Sequence, residues 1–433
     1  VTATTPTPPS AAHADIPQVQ RRVLRTLTVT QVLGGAGVAT GIAVSTLIAA
    51  SLSGSEAVGG MAQTAAVLGA ALLAVPLARL AATRGRRPAL LLGYGAGALG
   101  ATLSVVAVLL GWWPLLLAAL LLFGGGSAAN LSARYAATDL ADPVRRARAL
   151  STVVWCTTVG AVAGPNLADP AGRLAGAAGL PEGAGPFLVG VTAFGLAALG
   201  VAVGLRPDPL VLARALDTEP VAATTTGRKA ERGGVWRLLP GPARLGMAGI
   251  VVCQTTMVGL MSMTPVHMGH AGSSLRVVGV VISLHIAGMY AASPVFGWLA
   301  DRIGRVPVLA LGAALVVGAA GIAGTAAAHD APRLTVGLVM LGLGWSAGLV
   351  AGSALLTESV PLARRPAVQG LSDLAMNVGG AVGGLVAGVL VTAASYAVLG
   401  LVVGFVALPL LVICVISAIR GGSGRGQRDG IPV

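Results

Sequence analysis

Arg84–Gly85–Arg86–Arg87–Pro88 recurs 219 residues later as Ile303–Gly304–Arg305–Val306–Pro307, with Gly, Arg and Pro in register. The same offset lays Thr138, Arg145 and Arg146 over Thr357, Arg364 and Arg365, and Asp139 over Glu358. Val159–Gly160 and Gly164 fall over Val378–Gly379 and Gly383. One constant offset across three separated segments points to a duplicated unit, and each copy is long enough for six membrane-spanning helices. Duplication with both copies in the same orientation is a transporter's architecture.

Composition supports a membrane reading. The 433 residues are 55% hydrophobic and 10% charged, with a mean hydropathy of +0.85. Soluble domains carry roughly 25% charged residues. Inside a bilayer only helices and closed barrels satisfy their backbones, and apolar runs of about 20 residues select helices. The expected fold is therefore an all-α membrane protein with twelve transmembrane helices in two six-helix repeats. The spans are predicted at 28–52, 56–80, 88–110, 113–137, 150–168 and 186–205, then 245–266, 275–300, 307–328, 333–357, 369–392 and 395–419. Residues 1–27 read as a disordered tail, 207–244 as a linker between the halves with an amphipathic stretch near Val211–Leu216, and 420–433 as a second tail.

The net charge of +13 raises nucleic acid as a partner, but its distribution speaks against that. With the N-terminus taken as cytoplasmic, 25 of the 28 Lys and Arg fall in inner loops and tails. Only Arg173, Arg276 and Arg333 fall outside. This asymmetry predicts a multi-pass protein of the cytoplasmic membrane with both termini inside, its surplus charge facing anionic lipid headgroups. Cys156, Cys253 and Cys414 lie singly in predicted helices and read as small packing residues. His267, Met268 and His270 cluster at one helix end, but two His without further ligands do not make a metal site, and no metal is expected. No phosphate-binding loop, GxSxG or HExxH is present, so neither an enzyme nor a bound cofactor is expected.

From about Thr28 to Ile419 the chain resembles the major facilitator superfamily, particularly its proton-coupled exporters. The resemblance rests on Gly297–Trp298–Leu299–Ala300–Asp301–Arg302–Ile303–Gly304–Arg305, which matches the family's loop between the second and third helices of a half. The first copy departs from the pattern. Ala78 and Ala82 stand where Gly and Asp belong, leaving Arg84, Gly85, Arg86 and Arg87. In the family the motif Asp is held to cap a neighbouring helix and pair with Arg, closing one access state. A carboxylate beside a helix's positive end is physically favoured. The resemblance thus implies an inner gate formed by these residues with Arg134, Arg145, Arg146, Arg364 and Arg365. Gly160, Gly164 and Pro165 resemble the superfamily's antiporter motif, in which Gly allows close helix approach and Pro a kink. Its trailing Gly pair is replaced by Ala168 and Asp169. An Arg expected midway along the fourth helix is replaced by Leu122.

Ionisable groups at membrane depth are functional candidates, because lipid penalises them unless they face a cavity or a partner. Of the Asp and Glu residues only Asp373, and of the His only His285, falls well within a predicted span. His285 lies nine residues from Arg276 and 16 from Asp301, roughly 14 Å and 24 Å at ~1.5 Å per residue. Its ordinary pKa near 6.5 suits a coupling proton; the alternative is a satisfied interhelical hydrogen bond. Asp373 either protonates during transport or pairs with Arg364, Arg365 or Arg134 in the gate, and Asn377 shares its face. Gln31, Thr46, Asn130, Gln254, Thr255, Met257, Met289, Trp345 and Ser346 are candidate cavity-lining residues, although such residues more often make packing or interhelical contacts than ligand contacts.

The expected function is secondary active transport by alternating access, as proton-coupled export of a small, partly hydrophobic compound by a monomer. Uptake or uniport of a small polar metabolite is the alternative. A membrane sensor or scaffold would need a folded partner domain, for which the loops are too short.

Overall fold

Glycine sets the sharpest turns of this chain. At Gly85 and Gly304, φ is 100° and 102°, in a region where a Cβ is strained. Each ends one helix and starts the next within a single residue. The computed structural model describes residues 15–217, 239–272 and 274–423. Most of the two expected tails and of the linker lies outside the described residues.

The first half comprises α1 (Ile16–Ser53), α2 (Glu56–Arg84), α3 (Arg86–Leu110), α4 (Trp113–Ala136), α5 (Arg146–Ala177) and α6 (Gly185–Gly204). A short helix, α7 (Pro209–Leu216), follows. The second half comprises α8 (Gly241–His270), α9 (Leu275–Tyr290), α10 (Ser293–Ile303), α11 (Arg305–Gly324), α12 (Ala331–Glu358), α13 (Arg365–Ala393) and α14 (Tyr396–Ser423). Eleven segments among the described residues are long and apolar enough to cross a membrane. The twelfth span is α5, which is diluted by Ser151, Thr152, Thr157, Thr158 and Asn166. The predicted twelve-helix, all-α plan is what the chain adopts.

Two spans depart from expectation, each for a local reason. Helix α1 starts at Ile16 rather than residue 28, so the stretch assigned to a tail is helical from there on. Asp15 caps it by accepting from the Gln18 amide at 3.3 Å, and Val23 and Leu27 are buried in the first-half core. Arginine is a good helix former, so Arg21, Arg22 and Arg25 extend the helix beyond the apolar run. The eighth span, expected to be continuous, breaks at Ala291–Ala292 into α9 and α10. Pro294 lacks the N–H that would bond the Tyr290 carbonyl, and Ser293 Oγ takes that carbonyl instead at 2.7 Å. The amphipathic stretch of the linker is α7, capped by Asp208, which accepts from the Leu210 and Val211 amides.

Each half has its own core. Aromatic Phe123, Phe187 and Phe194 anchor the first; the second, which includes Phe296, Trp345 and Tyr396, also takes in Ala147, Leu150 and Val154 of α5. The halves meet where α2 crosses α13 and where α5 crosses α9 and α10. Among the described residues, every hydrogen bond and ion pair between them lies at the arginine-rich end of the molecule.

Candidate functional site

The two helix crossings that join the halves are copies of each other. Gly297 of α10 lies against Ser151 of α5, and Gly370 of α13 lies against Ala78 of α2. Residues 78 and 297, and 151 and 370, are repeat equivalents. One member of each contact is Gly, and a Cβ there would collide with the partner's side chain. Small residues are what let membrane helices approach this closely. Ser293 Oγ adds a bond across the α10–α5 crossing to the Ser151 carbonyl at 3.2 Å.

Charge is organised around these crossings in a second pseudo-symmetric set. Arg86 grips Asp139 with two bonds of 2.7 and 3.0 Å, and its repeat equivalent Arg305 bonds Glu358 Oε1 at 2.7 and 3.1 Å. Both pairs join residues 53 apart. Each arginine also reaches the other half: Arg86 donates to Gln369 Oε1 at 2.7 Å, and Arg305 to the Pro143 carbonyl at 3.1 Å. Asp301 accepts from the Ala147 and Arg148 amides at 3.1 and 3.0 Å and pairs with Arg305 at 3.1 Å. It therefore caps α5 from the opposite half, at the positive end of that helix.

The missing carboxylate at Ala82 has a structural counterpart. The helix that Ala82 would cap is α13, whose residue equivalent to Ala147 is Pro366, which has no N–H. Half of the cap's donors are gone. The Ala82 carbonyl instead accepts from Arg214 of α7 at 2.9 Å, and Asp208 bonds the Arg87 amide at 2.7 Å. Helix α7 thus clamps the first-half loop from outside the bundle.

Deeper in, Arg134 of α4 pairs with Asp373 of α13 at 2.7 Å, with side chains only 2% and 7% exposed. Arg134 also donates to Ser353 Oγ at 3.3 Å, the Leu131 carbonyl at 2.8 Å and Tyr135 Oη at 3.2 Å. Ser353 is the repeat equivalent of Arg134 itself, which puts this contact on the pseudo-twofold axis. Asn377 Nδ2 donates to the Asp373 carbonyl at 2.8 Å. An ion pair this buried needs both partners and further hydrogen bonds to offset desolvation, and here it can form only while the halves are together.

Toward the centre, the polar side chains pair within their own halves. Gln31 Nε2 donates to Thr157 Oγ1 at 2.7 Å, and Tyr94 Oη to Asn130 Oδ1 at 2.9 Å. In the second half Trp345 Nε1 donates to Gln254 Oε1 at 2.6 Å, and Tyr290 meets the Trp345 ring edge-to-face at 5.4 Å. On α5, Gly160 packs on Val32, Gly35 and Ala36 of α1, and Gly164 on Ala39 and Thr40; Thr40 Oγ1 bonds the Gly164 carbonyl at 2.9 Å.

The sequence profile of the Major Facilitator Superfamily matches residues 27–272 and 245–427. The chain belongs to this superfamily. It is 38% identical over 402 residues to the uncharacterized MFS-type transporter YdeG of Bacillus subtilis (strain 168), covering 91% of each chain. It is 29% identical over 359 residues to the riboflavin transporter RfnT of Brucella anthropi, covering 82% of this chain and 85% of that one. Among solved structures, that of the human organic anion transporter MFSD10 (TETRAN) superposes with a TM-score of 0.71 at 17% identity, covering 94% of this chain and 100% of that one. As a Major Facilitator Superfamily member the chain is a multi-pass membrane transporter, not an enzyme.

Within the superfamily fold, the candidate residues separate into groups. Gly297, Asp301, Arg305, Arg86, Arg134 and Asp373 come together at the junction of the halves, and Gly85 and Gly304 form the turns that carry Arg86 and Arg305. Arg84, Arg145 and Arg364 are exposed there without ion pairs among the described residues, and Arg302 lies over the Trp298 ring at 5.2 Å. Arg87 bonds the Ala202 carbonyl at 3.0 Å. His285 makes the interhelical hydrogen bond that is the alternative to a coupling role. It is fully buried, and its Nδ1 lies 2.7 Å from the Leu338 carbonyl of α12, so its hydrogen bond stays inside the second half. Met257 and Met289 are part of the second-half core. Thr255 and Thr46 lie at helix seams against Gly379 and Gly59. Ser346 is fully buried with no hydroxyl partner. The repeat alignment already placed Asp139 over Glu358, but their pairing with Arg86 and Arg305, and the parts played by Gln369 and Asp208, required the tertiary structure.

Proposed function

We propose that this superfamily member is a secondary active transporter of the cytoplasmic membrane that exports a small, partly hydrophobic compound in exchange for protons by alternating access. The arginine-rich end, with both termini, faces the cytoplasm, consistent with the bias of Lys and Arg to that side. The conformation described is then the one closed toward the cytoplasm. The observation that carries the reading is the buried Arg134–Asp373 pair, which joins the halves at 2.7 Å. A proton on Asp373 removes the carboxylate's charge, weakens the pair and favours separation of the halves at that end. The size of the shift is bounded by the difference in proton affinity between the two states. His285, bonded within its own half, is the less direct coupling candidate. The close α1–α5 packing at Gly160 and Gly164, with Pro165 beside it, agrees with the antiporter resemblance.

Uptake or uniport of a small polar metabolite is the second reading. It is favoured by the riboflavin transporter among the relatives and by Trp345, Tyr290 and Gln254, whose aromatic faces and amide suit a planar, hydrogen-bonding solute. Transport in proteoliposomes under an imposed proton gradient separates the two readings. Solute driven out against an inward proton gradient supports export; accumulation inside, or indifference to the gradient, supports the second. Unchanged pH dependence in both Asp373→Asn and His285→Ala would remove the proposed coupling site.

A further inference from the structure

At the arginine-rich end a cavity of about 620 Å³ opens between α7 and the segment that precedes α13. That size lies within the range of ~300–1,000 Å³ typical of small-ligand sites. The charged groups in its wall are Arg146, Arg365, Asp139, Glu358 and Asp217. The first four form two repeat pairs, each 219 residues apart, so the cavity straddles the pseudo-twofold axis.

Two of the three carboxylates there are already engaged. Asp139 is held by Arg86 through both oxygens, and Glu358 by two nitrogens of Arg305. The two arginines are not. Arg146 Nε is buried without any hydrogen-bond partner. Arg365 is only 9% exposed, and its one hydrogen bond is from Nε to the Val360 carbonyl at 3.2 Å. Neither makes an ion pair among the described residues. Asp217 stands exposed at the rim. Two guanidinium groups sharing a wall, one of them nearly enclosed, repel each other and keep unsatisfied donors. Arg146 and Arg365 begin the repeat-equivalent helices α5 and α13, so the two guanidinium groups are held at matching positions of the two halves.

We infer that this cavity binds a phosphate-bearing anion bridged by Arg146 of the first half and Arg365 of the second. Guanidinium forks match phosphate oxygens in geometry as well as charge. A lipid headgroup and a soluble phosphate share this chemistry. Because the two arginines belong to different halves, the site is complete only when the halves meet at this end. The anion therefore stabilises that state and regulates alternation from outside the transport path. The inference does not depend on the solute carried or on proton coupling.

The test uses the purified full chain in an uncharged, phosphate-free detergent. Inorganic phosphate is titrated at constant ionic strength, with thermal unfolding as the readout. A saturable rise in Tm is expected. Arg146→Gln with Arg365→Gln weakens the half-saturating concentration at least tenfold. The exposed repeat pair, changed as Arg145→Gln with Arg364→Gln, removes the same charge from outside the cavity and keeps the response. If the double variant does not fold, Arg146→Gln alone carries the comparison. Parallel micelles doped with phosphatidylglycerol, or with diacylglycerol, which has no phosphate, distinguish the source. A response to phosphatidylglycerol alone assigns a lipid headgroup, and one to inorganic phosphate assigns a soluble anion. No saturable response to either ligand overturns the inference. So does a response that survives loss of Arg146 and Arg365, or one abolished equally by loss of Arg145 and Arg364.

Discussion

Replacing Asp373 by Asn should shift the protein away from the state closed at its arginine-rich end. Both members of the Arg134–Asp373 pair are almost wholly enclosed, with side chains 2% and 7% exposed. Removing one member of such a pair leaves an uncompensated buried charge, at a cost of about 3–5 kcal/mol. Asn can still accept one hydrogen bond from Arg134, and Ser353, Tyr135 and the Leu131 carbonyl remain as partners, so the lower bound of about 3 kcal/mol applies. The pair spans the halves and is lost when they part, so the cost falls on the closed state alone. At about 1.4 kcal/mol per factor of ten, the closed-to-open ratio should fall about 10²-fold. Spin labels at the exposed positions Thr83 and Ile303, on opposite halves, would report the change as a longer distance distribution by pulsed electron resonance. Arg134→Gln should shift it the same way. An unchanged distribution in Asp373→Asn, with the protein folded, would refute the latch reasoning and with it the proposed route of proton action.

Asp301→Asn keeps one acceptor for the α5 amides but removes the charge from the positive end of that helix, worth about 0.3–1 kcal/mol, and loss of the Arg305 ion pair adds to it. A lower Tm and slower transport in proteoliposomes are expected, whereas Asp301→Asn with undiminished transport would argue against a gating role. Ala82→Asp should recover little, under about 1 kcal/mol of cap energy, because Pro366 supplies no N–H; a Tm gain matching the loss in Asp301→Asn would contradict this account of the asymmetry. Gly370→Val places a branched side chain into Ala78, an overpacking worth about 1–3 kcal/mol against the closed arginine-rich end, and the Thr83–Ile303 labels should again move apart. Gln254→Leu leaves Trp345 Nε1 without its acceptor, and KM for the carried solute should change more than the maximal rate if these side chains contact it.

The sequence by itself determined the architecture. Apolar runs of membrane length force helices because lipid offers no hydrogen bonds, and the 219-residue register requires two like halves. Resemblance to the superfamily motif marked Asp301 as a helix-capping carboxylate, while the tight turns at Gly85 and Gly304 came from the structure. What the sequence left open were choices among partners. Asp373 had three arginines within plausible reach, and only the crossing of α2 with α13 decides for Arg134, because that contact brings α4 beneath it. His285 reads as a pathway residue when only its depth is known. The rotation of α9 turns it toward the Leu338 carbonyl, and rotation about a helix axis is set by packing rather than by hydropathy, which is apolar on almost every face of these helices. The unpaired state of Arg146 and Arg365 was hidden for the same reason. Arg86 and Arg305, from elsewhere in the chain, bond Asp139 and Glu358 instead.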